Sequence, residues 1–283
     1  MSLVCAGDNV VDVYRGTGEA YPGGNALNVS VAARRCGLAS AYLGAVGDDD
    51  AGRRLIDALA AEAVATDRLR VLPGSTAWCG VQVVDGDRQF LDSDLGVSMF
   101  DLSADDLAYI AGFDAVHTGD NSGLEAQLAD IAERTKVSFD FGSRPWSYVD
   151  GLIDHVWCAC FSGGHLTAEA AIALADQAAA RGPAAVLVTE GSRGARLVVD
   201  GVHVALGSRA GSLIDSLGAG DALIGGVLSG LIRNDAPIEA LKAGTALAAQ
   251  TVSHYGAFGY GFDPALAGLG GVSLRSGCAG QSD

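Results

Sequence analysis

The stretch Asp215-Ser216-Leu217-Gly218-Ala219-Gly220-Asp221-Ala222-Leu223 leads directly into an apolar run with helical spacing. The first backbone N–H groups of a helix have no partner inside it. Gly-Ala-Gly leaves them bare, so Gly218, Ala219 and Gly220 form a cradle suited to a phosphoryl group in transfer. Asp221 stands in the first turn beside that cradle. A carboxylate there can accept the proton of a hydroxyl as it attacks phosphorus, and the helix dipole keeps the carboxylate ionised until then. Asp is also favoured at helix starts, so the stretch taken alone also reads as a capped tight turn. A second stretch, Gly23-Gly24-Asn25-Ala26-Leu27-Asn28, opens another helix. Its glycines permit close approach of a ligand, and the amides of Asn25 and Asn28 offer the donors and acceptors that vicinal sugar hydroxyls need. The plainer alternative is an Asn cap behind a glycine turn. Asp8 and Asp12 follow the first strand, where carboxylates would line the crevice of an open sheet, although Asp8 also fits as a turn former.

Positioning these segments requires a particular frame. Apolar runs alternate with helical periodicity along the chain, the pattern of βα units around a mostly parallel sheet covered on both faces. Strands are expected over 3–6, 41–46, 115–118, 137–141, 155–161 and 185–189. Helices are expected over 25–36, 49–62, 124–133, 167–181, 219–232 and 237–254. A hairpin over 195–205 turns at Asp200-Gly201. Another, over 76–91 and turning at Asp85-Gly86-Asp87, breaks the βα rhythm. With segment 10–21 it is expected to form a small β lid over the strand ends, of the kind that shields phosphoryl-transfer sites from water. The fold class expected is therefore α/β, with one domain over 1–263. A tail over 264–283, rich in Gly, Ser and Ala, is expected to be peripheral or disordered.

Composition narrows the function. The chain has 283 residues, 49% hydrophobic and 18% charged, as befits a globular protein with a large core. Its net charge of −16 repels phosphate backbones and anionic lipid, so neither nucleic acid nor membrane is an expected partner. A cytoplasmic location is expected, because no leader or long apolar run stands out and the scattered cysteines read as buried thiols in a reducing compartment. Lys136 and Lys242 are the only lysines and neither follows a glycine, which excludes a G-x-x-x-x-G-K phosphate loop. A complete G-x-G-x-x-G, G-x-S-x-G or H-E-x-x-H is also absent. The five histidines show no metal-ligand spacing, although His117, by a strand end, can face a cleft.

Taken together, the two glycine-bearing segments resemble the signature regions of the ribokinase, or phosphofructokinase-B, family of sugar kinases. The upstream one covers Gly23 to Gly37 and continues into Gly44-Ala45-Val46-Gly47-Asp48-Asp49; the downstream one is Asp215 to Asp221. The resemblance runs in order and spacing from Leu3 to Phe258. Gly7-Asp8-Asn9-Val10-Val11-Asp12, Asp85-Gly86-Asp87-Arg88-Gln89-Phe90 and Tyr255-Gly256-Ala257 look closest to the family's fructoselysine 6-kinase branch. The resemblance implies a ribokinase-like three-layer sandwich and ATP-dependent transfer to a primary hydroxyl of a fructosamine-like sugar. Ribose, fructose, 2-keto-3-deoxygluconate and a nucleoside stand as other acceptors. Asp221 would be the general base and the amides of Gly218, Ala219 and Gly220 the anion hole. Asp8, Asp12, Gly23, Gly24, Asn25 and Asn28 would hold the sugar, with Arg88 reaching from the lid toward a carboxylate or the incoming phosphate. Thr189, Gly191 and Gly194, in a T-x-G-x-x-G segment, would flank ATP, and Thr245 would meet adenine. Mg²⁺ would bridge phosphates largely through water. Asp215 and the carbonyl of Leu217 would contribute to a site for a monovalent cation such as K⁺.

Three departures accompany the resemblance. The N-x-x-E segment that helps organise magnesium in the family should fall near Phe161-Ser162-Gly163-Gly164-His165, which has neither residue. Glu190 replaces an apolar residue beside the nucleotide loop, and Ser216 stands for the usual Thr. The missing N-x-x-E motivates a second reading, a protein that binds sugar or nucleotide as a sensor without turnover. A dinucleotide oxidoreductase is disfavoured by the failed glycine fingerprint. The lid strands offer edges that could pair across a two-fold axis into a homodimer.

Overall fold

In a computed structural model of the chain, which describes residues 1–84, 87–209 and 213–269, side chains along each central strand alternate between two cores. Leu3, Cys5, Cys158, Cys160, Ala185 and Leu187 pack toward the helices Asn25–Arg35, Asp50–Ala61, Ala219–Ile232 and Pro237–Thr251. Val4, Ala6, Phe139, Ala159, Val186 and Val188 pack toward Ala104–Ile110, Leu128–Ala132, Trp146–Val149 and Ala168–Ala179. Successive strand residues point to opposite faces, so apolar residues at every position demand a helical layer on each side. The result is the expected three-layer sandwich.

The central sheet has eight strands, in spatial order Val202–Leu206, Ala195–Val199, Ala185–Thr189, Cys158–Ser162, Lys136–Asp140, Ala115–Gly119, Ser2–Ala6 and Ala39–Leu43. The last six are parallel, and the terminal hairpin is antiparallel. A separate four-stranded sheet, ordered Ala20–Gly23, Val10–Tyr14, Trp78–Val84 and Asp87–Asp94, joins the two segments read as the lid. Among the described residues no helix is long and apolar enough to cross a membrane.

Some boundaries differ from those read in the sequence. The apolar run 41–46 serves two sheets: Ala39–Leu43 stays in the central one, and Ala45–Gly47 pairs with Arg70–Leu72. The strand expected from 155 begins at Cys158, because Ile153–His155 forms a 3₁₀ turn with Ile153 and Val156 buried beneath it. A short buried apolar run carries the same signal in either conformation. The helix expected over 124–133 divides into a 3₁₀ turn, Glu125–Gln127, and Leu128–Ala132. The helix Ala104–Ile110 was not read, although Ser103 and Asp106 form a reciprocal capping box at its start. Of the tail, Pro264–Ala267 makes a 3₁₀ turn, and the expectation for 270–283 lies outside the described residues.

The helix that carries Asp221 is fixed by close packing at glycine. A Cβ built on Gly226 would lie 2.5 Å from the Cα of Gly244 in the helix Pro237–Thr251, and neither backbone can yield alone. Gly226→Ala is therefore expected to destabilise the fold by roughly 1–3 kcal/mol, enough to lower the melting temperature by several degrees in thermal unfolding. An unchanged melting temperature would contradict this packing.

Candidate active site

Gly24 precedes the helix Asn25–Arg35 and has no side chain with which to cap it. Asp8 supplies the cap from the end of the first strand. Its Oδ2 accepts from the Asn25 N–H at 2.7 Å and its Oδ1 from the Ala26 N–H at 3.2 Å, with the Ser122 hydroxyl adding a bond at 3.1 Å. Burial raises the pKa of this carboxyl above the ordinary range, and the three hydrogen bonds oppose that rise. The capping sets the direction in which Asn25 and Asn28 leave the backbone.

Both amides converge on Asp221. Asn25 Nδ2 donates to Asp221 Oδ1 at 2.8 Å, and Asn28 Nδ2 donates to Asp221 Oδ2 at 2.7 Å. The second hydrogen of Asn25 Nδ2 reaches Asp140 Oδ2 at 2.9 Å, at the end of the strand Lys136–Asp140. Burial, reinforced by the charges of Asp221, Asp120 and Asp8, pushes the Asp140 pKa up to about 7 despite a bond from the Gly142 N–H. With both its hydrogens engaged by carboxylates, Asn25 acts here as a clamp. Asn28 Oδ1, in a residue only 7% exposed, has no hydrogen-bond partner among the described residues. Asn28 lines a small cavity, of about 10 Å³, together with Gly218, Ala222, Thr251 and Phe258.

Asp221 is half-buried in the first turn of Ala219–Ile232. Gly218 precedes that helix at φ +74°, and a Cβ there would lie 2.3 Å from the Ala257 Cβ. This backbone turn needs glycine. Of the three cradle amides, Ala219 N–H donates to the Ser216 carbonyl at a long 3.3 Å, while those of Gly218 and Gly220 have no partner among the described residues. Two donors without a partner among the described residues, and a dipole, thus sit beside a carboxylate gripped on both oxygens.

The lid supplies the opposite wall. Asp12 is buried, its Oδ2 lying where a side chain on Gly23 would stand, only 2.1 Å from that Cβ position. Tyr14, on the lid, donates its hydroxyl to Asp215 Oδ2, which also accepts from the Gly256 N–H at 3.0 Å. The other oxygen, Oδ1, accepts from the Leu217 N–H at 3.0 Å. Asp215 thereby ties the lid, the 252–256 turn and the cradle loop together. Arg88 lies on Asp87–Asp94, but its side chain falls outside the described residues.

A second group of segments lies at the ends of the next strands. Thr189 closes the strand Ala185–Thr189, and Gly191 and Gly194 follow at φ +60° and +107°. Glu190, which departs from the apolar residue expected here, is buried and neutralised by Arg196 at 2.7 Å and Arg193 at 3.5 Å. Arg193 also donates to the carbonyls of Gly163 and Gly164 at 3.1 and 3.3 Å, holding the segment where the N-x-x-E was sought. The Thr245 hydroxyl donates within its own helix, to the carbonyls of Leu241 and Lys242 at 2.9 and 3.1 Å. Backbone-lined loops of this kind suit a nucleotide. Among the described residues no three His, Cys, Asp or Glu side chains converge as a metal cage.

Asp140 and Ser138 are not among the site residues read in the sequence, and His117 is read only as a histidine by a strand end that can face a cleft. The usable signal for Asp140 was a carboxylate closing a central parallel strand. Ser138 carries no local signal, and both it and His117 are buried inside strands.

Comparison with known proteins adds to this geometry. A family described as pfkB family carbohydrate kinase matches residues 2–259. The chain is 37% identical over 268 residues to the fructosamine kinase FrlD of Bacillus subtilis (strain 168), covering 93% of this chain and 94% of that protein. It is 33% identical over 261 residues to the fructoselysine 6-kinase of Escherichia coli (strain K12), covering 91% of this chain and 99% of that protein. Arabidopsis thaliana ribokinase, solved with ribose and ATP, matches the fold with a TM-score of 0.80 at 21% identity, over 96% of this chain and 99% of that one.

Proposed function

The chain belongs to the pfkB family of carbohydrate kinases, and from that premise we propose that it transfers the γ-phosphoryl group of ATP to the primary hydroxyl of a fructosamine. The enzyme class, a phosphotransferase with an alcohol acceptor, follows from the family. The fructosamine acceptor rests on the names of its relatives at 33% and 37% identity. The observation that carries the mechanism is the meeting of Asp221, held by Asn25 and Asn28, with the amides of Gly218 and Gly220, which have no partner among the described residues. Asp221 accepts the proton of the attacking hydroxyl, and those amides, with Ala219 between them, receive the negative oxygens of the group in transfer. Asp12, Gly23, Gly24 and Asn28 hold the sugar, Asn28 through its unbonded Oδ1. Asp8 and Asn25 serve the sugar by shaping the cradle, and Arg88 reaches it from the lid.

Thr189, Gly191, Gly194 and Thr245 flank the nucleotide, Thr245 by its apolar side since its hydroxyl is engaged within the helix. The magnesium ion, when bound, neutralises phosphate charge. A monovalent cation would sit beside the carbonyl of Leu217, with Asp215 ordering that loop. The proposed setting is a cytoplasmic enzyme that dimerises through the lid. A panel of acceptors with ATP and magnesium, coupled to ADP release, tests the substrate. Fructoselysine is expected to exceed ribose, fructose, 2-keto-3-deoxygluconate and a nucleoside by at least about tenfold in kcat/KM. A preference for ribose or the nucleoside would overturn the assignment.

A further inference from the structure

The amide of Asn25 is held from behind as well as in front. Its Oδ1 lies 3.1 Å from Nε2 of His117, and Nδ1 of His117 lies 3.0 Å from the Ser138 hydroxyl. His117 and Ser138 are both fully buried. An amide oxygen can only accept, so Nε2 must carry the proton. The neutral ring then accepts at Nδ1, and the single hydrogen of Ser138 fills that place. Reversing the Asn25 amide would set its oxygen against two carboxylates and leave the His117 N–H facing an NH₂ group. One arrangement alone satisfies all three side chains, and it sends one Asn25 hydrogen to Asp221 and the other to Asp140.

We propose that His117 is a positioning residue for phosphoryl transfer: acting through Asn25, it fixes the orientation in which the Asp221 carboxylate meets the acceptor hydroxyl. This rests on the reading of Asp221 as general base. Its part is to hold Asn25 Oδ1 from behind with a donor while the two carboxylates hold the NH₂ in front. Burial suits it to that part, because desolvation lowers its pKa to about 3 and keeps the ring neutral across the working range. Asn25 Oδ1 in turn fixes the tautomer, and the Ser138 hydroxyl, able to donate or accept, matches it.

Two measurements test this. Nitrogen-15 NMR of the histidine-labelled protein, with the His117 signals assigned by their loss in a His117→Leu variant or by triple-resonance experiments, should show the neutral Nε2–H tautomer without titration between pH 5 and 9. An Nδ1–H tautomer, or titration near the ordinary histidine range, would overturn the proposal whether or not any variant folds. Kinetically, His117→Leu should lower kcat about tenfold or more, with the KM for the sugar within about threefold of the parent. In His117→Gln, whose amide nitrogen reaches about where Nε2 sits, kcat should return to within about threefold of the parent. Equal losses in the Leu and Gln variants, or an undiminished kcat in the Leu variant, would reduce His117 to a packing residue. Asp221→Asn assayed in parallel separates the two levels. If it stays active, the general-base reading fails; if it is inactive while His117→Leu is unimpaired, only the positioning role fails.

Discussion

Asp221→Asn should lower kcat/KM for the acceptor sugar by about 10²–10⁴, the range that a positioned general base contributes. The substitution preserves shape and leaves one oxygen to accept from Asn25 or Asn28, while its new NH₂ faces the other amide's NH₂ and gives up that bond. Folding should not suffer. The Asp221 charge is one of those that raise the Asp140 pKa, and removing it relieves repulsion between buried neighbours. The expected result is thus an enzyme nearly inactive yet still folded, measured by steady-state kinetics beside thermal unfolding. A loss below about tenfold would remove Asp221 from the base role.

The second large effect concerns the anion cradle. Gly220 sits in the first turn of Ala219–Ile232, with no atom within 4 Å of where a Cβ would be. A side chain there meets nothing, so Gly220→Ala should keep kcat within about threefold. Gly220→Pro, at a position in the first helical turn where proline is tolerated, removes the N–H and sets a ring carbon in its place. Its kcat should fall by about 10²–10³, the cost of deleting one donor to a developing negative oxygen. Similar activity in the Ala and Pro variants, both folded, would mean that this amide does not face the transferring group. The pair tests whether the amide position faces the transferring group, which no change at Gly218 can do, because a side chain at φ +74° strains the loop and strikes Ala257.

Much of this site was legible in the sequence, and the reasons differ residue by residue. Asp221 and its glycines were readable because helix starts have a short-range grammar of glycine, small residues and a carboxylate. The Gly23 to Asn28 segment was readable for the same reason. What could not be read was the meeting of the two, nearly 200 positions apart, through the Asn25 and Asn28 amides. Nor could the sequence show that Asp8 is occupied as the external cap of a helix whose own cap position is glycine. His117 and Ser138 lie side by side on adjacent strands, a pairing set by the register of Ser138 against His117. Register between parallel strands leaves no local trace. The sheet was legible because its strands are apolar throughout, whereas the switch of sheet at Gly44 and the turn before Cys158 were hidden inside such runs.

A structure of the enzyme with a fructosamine and a non-transferable ATP analogue would test the central claim most directly. The acceptor hydroxyl should lie within about 2.6–3.2 Å of an Asp221 oxygen, with a γ-phosphate oxygen facing the Gly218 and Gly220 amides. An acceptor hydroxyl seated against Asp140 instead, or a γ-phosphate turned away from those amides, would contradict it.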